Sequence, residues 1–110
     1  MPQRMLLRTG AACAALFGLV YAAHADSIDG DWCRIDGKRM TIRGPVIVTP
    51  GGKQTNGDYT RHSFSYIIPA DESGAGATVW IQLLSEYLAH ARQGADAPVQ
   101  EWRRCQPGVS

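Results

Sequence analysis

The stretch WCRIDGKRMTIR, residues 32–43, predicts two short β-strands joined by a tight turn. Strand-like residues flank the pair Asp36-Gly37, and an Asp-Gly pair in this setting is a strong local signal for a β-hairpin. Two further runs rich in β-branched or aromatic residues follow along the chain, 46–49 and 59–68, and the residues of 99–105 alternate as in a strand. The sequence therefore predicts a mainly β chain that forms a small single-domain antiparallel sheet or partial barrel.

The run 59–68 is the longest of these predicted strands, and it follows a polar loop that contains Asn56-Gly57. Because side chains alternate between the two faces of a strand, every second residue should turn toward the core. The more apolar of the two sets is predicted to do so: Thr60, His62, Phe64, Tyr66 and Ile68. Pro69 is expected to end the strand, since proline cannot donate to a β-ladder.

The segment 78–92, TVWIQLLSEYLAHAR, fits two templates. As a helix, it places an apolar stripe on one face and ends at Gly94. As a hairpin, it has a first arm rich in β-branched and aromatic residues, a turn at Ser85-Glu86 and a second arm at 87–92. The neighbouring elements are short strands at hairpin spacing, so we favour the hairpin and keep the helix as the alternative.

The composition places the chain among small globular proteins with balanced charge. Its 110 residues are 45% hydrophobic and 19% charged, with a formal net charge of +1 at pH 7. This size and composition exclude a multidomain enzyme, a coiled coil and a disordered tail. The near-neutral net charge gives no excess of positive charge to attract a polyanion, so nucleic acid is not a predicted partner.

The first 25 residues have the features of a secretory signal peptide. Arg4 and Arg8 precede the apolar run 10–23, and Ala23-His24-Ala25 provides small residues at the cleavage site. The run is shorter than the roughly 20 apolar residues that a spanning helix needs, so no membrane span is expected after cleavage. We expect a cleaved signal at 1–25, one small β domain at 26–110, and export to the periplasm or the medium.

Two cysteines, Cys33 and Cys105, remain after removal of this signal and lie near the two ends of the domain. In an exported chain such a pair predicts one disulfide. The bridge closes most of the domain into a loop, which the chain-entropy argument values at roughly 4 kcal/mol. No C-x-x-C motif or histidine cluster accompanies the pair, so neither a metal nor a cofactor is predicted.

Gly30-Asp31-Trp32 resembles the Gly-x-Trp opening of lipocalin-like barrels and of small bacterial protease-inhibitor barrels. In lipocalins this tryptophan closes the barrel floor beneath an arginine from near the last strand. The resemblance therefore implies that Arg103 or Arg104 stacks on Trp32 through a cation–π contact. Trp32 and Trp102 each neighbour a cysteine, so both are predicted to pack in the core near the disulfide.

A broader resemblance is carried by four runs: GDWC, TIRGPVIVTPGG, GDYTRHSFSY and EWRRC. Together they are similar to a group of small exported bacterial proteins of unassigned function. This resemblance implies the fold and the export of the chain, and it implies no particular chemical activity.

His62 has a carboxylate nearby in the sequence, Asp58, which would share a strand face with it. An Asp–His couple needs a nucleophile, but Ser63 follows His62 on the same predicted strand and would point to the opposite face. No G-x-S-x-G elbow occurs, and pairing His62 with His90 leaves a metal without a third ligand. We therefore predict a protein without catalytic or metal-binding residues.

Four residues are candidate contacts for a partner: Trp80, Arg61, His62 and Arg39. If 78–92 forms strands, Trp80 faces outward; if it forms a helix, Trp80 joins the buried stripe. Large aromatic side chains are mostly buried, which favours a core position for Trp80. Arg39 belongs to the basic hairpin 34–43, which is either a solvated face or a contact for acidic envelope polymers.

These features favour an exported binding module without enzymatic activity, either an inhibitor of a protease or other hydrolase or a protein that contacts the cell envelope. Its partner would be a protein or an envelope polymer. The alternative is a structural, self-associating cell-envelope protein, and the least favoured class is a small hydrolase that uses His62. The sequence specifies no oligomeric state.

Overall fold

A computed structural model describes residues 27–106, and all regular structure in this part of the chain is β-strand. The predicted signal peptide at 1–25 lies outside the described residues. In chain order the strands are β1 Gly30–Cys33, β2 Arg39–Arg43, β3 Val46–Val48, β4 Gln54–Asn56, β5 Asp58–Tyr59, β6 Ser63–Ile67, β7 Thr78–Ser85, β8 Leu88–Gln93 and β9 Gln100–Arg104.

These strands form one antiparallel sheet in the order β4-β3-β2-β1-β9-β8-β7-β6-β5. β1 pairs with both β2 and β9, so the two ends of the domain meet in the middle of the sheet. β4 and β5 stand at opposite ends of this order, yet Gly57 alone separates them in the chain. The sheet therefore curls back on itself into a nearly closed barrel, which confirms the predicted fold class.

Cys33 and Cys105 form the predicted disulfide, with their Cα atoms 5.1 Å apart. The bridge lies where β1 pairs with β9, next to a hydrogen bond from the Cys105 N–H to the Asp31 carbonyl at 3.1 Å. We call β1, β9 and this disulfide the β1–β9 seam. Among the described strands this pairing joins partners far apart in the chain, whereas the other pairings join consecutive strands.

The segment 78–92 is a hairpin of β7 and β8, as favoured from the sequence, and not a helix. Val79 and Ile81 of β7 face the core together with Ala89 and Ala91 of β8, and Ile81 stands directly opposite Ala91. The two alanines leave room for the larger β7 side chains, so strict alternation is satisfied on both arms. A register shift between Leu83 and Ser85 precedes the turn.

The predicted strand 59–68 is wrong in its first half, because the chain turns at 60–62 and pairs β5 with β6. The Thr60 hydroxyl accepts hydrogen bonds from the backbone N–H groups of His62 and Ser63, at 3.3 and 3.0 Å. This local side-chain turn competes with an extended backbone. Phe64, Tyr66 and Ile68 face the core as expected, whereas Thr60 and His62 are exposed.

The core fills the interior of the barrel and draws on most of the strands. Its buried apolar members are Ile28, Trp32, Met40, Ile42, Ile47, Phe64, Tyr66, Ile68, Val79, Ile81, Ala89, Ala91 and Trp102.

The Gly-x-Trp residues close one end of the barrel together with Arg104. Arg104 Cζ lies 4.1 Å from the centroid of the fully buried Trp32 ring, whose Nε1 donates to the Ile28 carbonyl at 2.9 Å. Gly30 lies beneath the same guanidinium, with φ +127, and a Cβ there would come within 2.7 Å of Arg104 Nη1. Glycine at this position therefore makes room for the arginine that stacks on Trp32.

The Arg104 side chain also donates hydrogen bonds to three backbone carbonyls. Its Nε donates to the Glu86 carbonyl at 2.7 Å, Nη1 donates to the Asp29 carbonyl at 2.5 Å, and Nη2 donates to the Ser27 carbonyl. One side chain thus joins the start of the domain to the turn between β7 and β8. A planar guanidinium suits this task because its donors are held in a fixed fork.

The Asp29 carboxylate makes further hydrogen bonds at the same end of the barrel. It accepts hydrogen bonds from the Gly44 N–H at 2.6 Å and from the hydroxyls of Tyr59 and Ser27. Burial opposes ionisation, but these hydrogen bonds outweigh it and hold the pKa of Asp29 below its ordinary value. Its contribution to stability is therefore complete above the ordinary carboxyl pKa and is lost as the pH falls through the lowered pKa.

Replacing Gly57 by alanine is expected to lower the free energy of unfolding by about 2 kcal/mol, because the corner between β4 and β5 has no space for a side chain. An added Cβ would lie 2.2 Å from the Ser65 carbonyl oxygen and 2.6 Å from Phe64 Cε1. Urea denaturation measures the loss. The matched control is Gly76→Ala, where nothing lies within 4 Å and strain at φ +87 alone costs about 1 kcal/mol. Equal losses in the two variants would contradict the crowded corner.

Candidate functional site

Trp80 lies in the middle of β7 with its side chain on the outer surface of the barrel, 59% exposed. The expected core position for Trp80 is therefore wrong. Val79 and Ile81 occupy the inward positions on either side, and alternation along the strand then turns Trp80 outward. A large aromatic side chain held in solvent by a well-paired strand is a candidate contact residue.

Two cross-strand rows order the outer surface around Trp80. Ser65 of β6 and Arg92 of β8 stand directly opposite Trp80 in the register. In the next outward row Ser63, Gln82 and His90 lie side by side, and Glu101 of β9 stands opposite His90. We call these two rows on β6, β7 and β8 the Trp80 face.

A groove of about 740 Å³ runs along the Trp80 face. Its apolar exposed side chains are Trp80, Leu84 and Val99, and its polar lining includes both rows defined above. Asp58 and Arg92 contribute opposite charges to the lining. Within the described residues the groove therefore combines one aromatic plane with many hydrogen-bonding groups and no net formal charge apart from His90.

From the sequence, Trp80 is a candidate contact, but Ser63 and His90 are not placed on the same surface. Gln82 stands two residues after Trp80 on a strand and so shares its face. Ser63 and His90 come from other strands, and their positions depend on the register of pairing.

The other predicted contact residues lie elsewhere. Arg61 and His62 are exposed in the turn between β5 and β6, where their carbonyls accept hydrogen bonds from the N–H groups of Ile28 and Leu83. Arg39 begins β2 and pairs with Asp31 at 3.3 Å. In the sheet order β2 is separated from β7 by β1, β9 and β8, so Arg39 and Trp80 do not form one surface.

The basic hairpin is partly neutralised by its own acidic residues. Arg34 donates to the Asp36 carboxylate through Nε at 2.9 Å and Nη2 at 2.7 Å, and its Cζ lies 5.2 Å from the centroid of the Trp102 ring. The hydrogen bonds from Arg34 and its positive charge lower the pKa of Asp36 to about 2. Arg103, the second arginine at the end of β9, pairs with Glu101 at 3.1 Å on the surface.

The strand face on which Asp58 and His62 would lie together does not form. Asp58 lies on β5 opposite Ser65, whereas His62 lies in the following turn, so the two side chains do not share a strand face. Among residues 27–106 no group of three or more His, Cys, Asp or Glu side chains is placed to hold a metal ion.

A second cavity, of about 500 Å³, opens at the end of the barrel that carries the β1–β2 and β3–β4 turns. Burial and the nearby Glu72 carboxylate raise the pKa of Tyr66 to about 12, and Glu72 itself accepts a hydrogen bond from the Thr49 hydroxyl at 2.5 Å. Trp102 Nε1 is buried here without a hydrogen-bond partner in the described part of the chain. The lining of this cavity combines core side chains, among them Met40 and Ile68, with charged residues of the turns, among them Lys38 and Asp71.

Comparison with protein-family models, with curated proteins and with solved structures finds no match to this chain. In residues 27–106 no helix is long and apolar enough to cross a membrane.

Proposed function

We propose that the protein is an exported, non-enzymatic binding module that contacts a macromolecular partner of the periplasm or cell envelope through the Trp80 face. The observation that carries this proposal is the exposed Trp80 side chain in the middle of a paired strand. Exposing an indole to water costs free energy, and contact residues of this type supply much of the affinity of protein surfaces. The disulfide supports the exported location because such bonds persist in oxidising compartments.

A rigid scaffold beneath the face supports the same proposal. β7 pairs with β6 over residues 78–82 and with β8 from Val79 onward, so the backbone of Trp80 is held on both sides before a partner arrives. A preformed contact surface loses little conformational entropy when it binds. Inhibition of a secreted hydrolase is the narrower form of this proposal.

Replacing Trp80 by alanine is expected to weaken binding to the partner by about 30-fold or more, because a central tryptophan contributes about 2 kcal/mol or more to a contact surface. The measurement is affinity capture from the extracytoplasmic extract of the native host, with soluble and insoluble envelope fractions tested separately. Wild-type protein should retain a partner at micromolar concentration, and Trp80→Ala should lose it.

The matched control is Tyr87→Ala, which removes another exposed aromatic side chain in the turn between β7 and β8, away from the two rows. This variant should bind like wild type. Capture that is unchanged by Trp80→Ala, or the absence of any retained partner, would contradict the proposal. Concentration-dependent sedimentation that disappears in Trp80→Ala would instead identify a second copy of the chain as the partner.

A further inference from the structure

We infer that the Trp80 face binds a neutral glycan strand that lies across β6, β7 and β8. This inference rests on the proposed function and names the chemical class of its partner. Three properties of the face carry it: an exposed aromatic plane, a row of hydrogen-bonding groups beside that plane, and opposite charges that leave no net field.

The aromatic plane is the first property. A sugar ring has an apolar face of C–H groups and an edge of hydroxyl groups, so it can lie flat on an indole while its hydroxyls reach to the sides. Trp80 is 59% exposed and belongs to a strand paired on both sides, so its indole is presented on a fixed backbone. Ser65 and Arg92 flank it on the neighbouring strands, where their polar groups can meet the edge of a ring.

The second property is the polar row of Ser63, Gln82 and His90 beside Trp80. No hydrogen bond within the described residues engages the side chain of Gln82 or His90. A protein partner that pressed an apolar patch onto this row would bury these groups unpaired, which costs free energy. A hydroxyl-bearing chain offers each of them both a donor and an acceptor.

The third property is the charge of the groove. Asp58 and Arg92 carry opposite charges in its lining, so the groove attracts neither a polyanion nor a polycation over distance. The groove takes its lining from β5, β6, β7 and β8, and so it crosses neighbouring strands that are about 4.8 Å apart. An extended neutral polymer fits this shape and charge better than an acidic or basic chain.

The test uses co-sedimentation of the disulfide-bonded protein with three insoluble probes: chitin, cellulose and a poly-glutamate resin. Titration of soluble N-acetylglucosamine oligomers, followed by tryptophan fluorescence, distinguishes a free sugar from a polymer. Wild type should bind chitin or cellulose and not the polyanion. Raising NaCl from about 0.05 to about 0.5 M should leave this binding unchanged, because no net charge is being screened.

The variants separate stacking from hydrogen bonding. Trp80→Ala should raise the dissociation constant by about 30-fold or more, and Trp80→Phe, which keeps an aromatic plane, should stay within about threefold of wild type. Gln82→Leu keeps the shape of the row but removes its amide, and it should weaken binding by about fivefold. Tyr87→Ala should change nothing.

Each contrary outcome overturns the inference. Wild-type protein that binds none of the glycans, yet captures a protein in a Trp80-dependent way, would overturn the glycan inference and leave the proposed function standing. Binding that is lost at high salt, or that is unaffected by Trp80→Ala, would overturn it as well. Failure to bind any glycan or any protein through Trp80 would overturn both.

Discussion

Replacing Cys33 and Cys105 together by serine is expected to lower the free energy of unfolding by about 4 kcal/mol. The disulfide closes a long loop, with a sequence separation of 72 residues, and so removes many conformations from the unfolded chain. A domain this small has little stability in reserve, so the double variant should be largely unfolded near physiological temperature. Urea denaturation of wild type and variant, followed by tryptophan fluorescence, measures the loss.

The position of the bridge makes this loss cooperative. The β1–β9 seam holds just two register pairs, Trp32 with Arg104 and Cys33 with Arg103, and it is the pairing that joins the two ends of the domain. Without the bridge, the seam must close by diffusion of distant strands, which costs loop entropy before any contact forms. Reduction of the wild-type disulfide with a thiol is the matched control and should reproduce the variant. An unchanged urea midpoint in both samples would contradict the assigned role.

The parts of the fold that could be predicted from the sequence are those decided by local signals. Asp36-Gly37 identified the first hairpin, and alternation of apolar residues identified the inward positions of Phe64, Tyr66 and Ile68. The disulfide followed from counting the cysteines that remain after the predicted cleavage. The hairpin and the inward positions depend on residues that are neighbours in the chain, and two cysteines can form just one disulfide with each other.

The missed parts depend on contacts that local patterns do not contain. β4 has the sequence Gln-Thr-Asn, with no apolar alternation, and it becomes a strand because its backbone pairs with β3. The turn at 60–62 depends on the Thr60 hydroxyl, which accepts a hydrogen bond from the Ser63 backbone N–H. A pattern of polar and apolar residues does not indicate such a side-chain-to-backbone hydrogen bond. The Trp80 face needed the register of three strands, so from the sequence it appeared as one exposed tryptophan and not as two ordered rows.

Replacing Arg104 by alanine is expected to lower the free energy of unfolding by about 3 kcal/mol. The variant loses donors to the carbonyls of Ser27, Asp29 and Glu86 and also the stack on Trp32. The Arg104 guanidinium is partly exposed to solvent, so the expected loss is smaller than the summed free energies of three buried hydrogen bonds to a charged donor. Arg104→Lys should recover less than half of the loss, because an ammonium cannot donate in the fork that reaches three carbonyls.

Arg103→Ala is the matched control, since Arg103 is the adjacent arginine on β9 and, within the described part of the chain, its side chain makes only a surface ion pair with Glu101. Exposed pairs of this kind contribute little, and the loss should stay below about 1 kcal/mol. A double-mutant cycle with Trp32→Phe then isolates the stack, with an expected coupling of about 1 kcal/mol between Trp32 and Arg104. Equal losses for the two arginines, or zero coupling, would mean that the closed end of the barrel is held by burial of Trp32 alone. A clearly larger loss for Arg104→Ala would mean that the Arg104 side chain, like the disulfide, stabilises the β1–β9 seam.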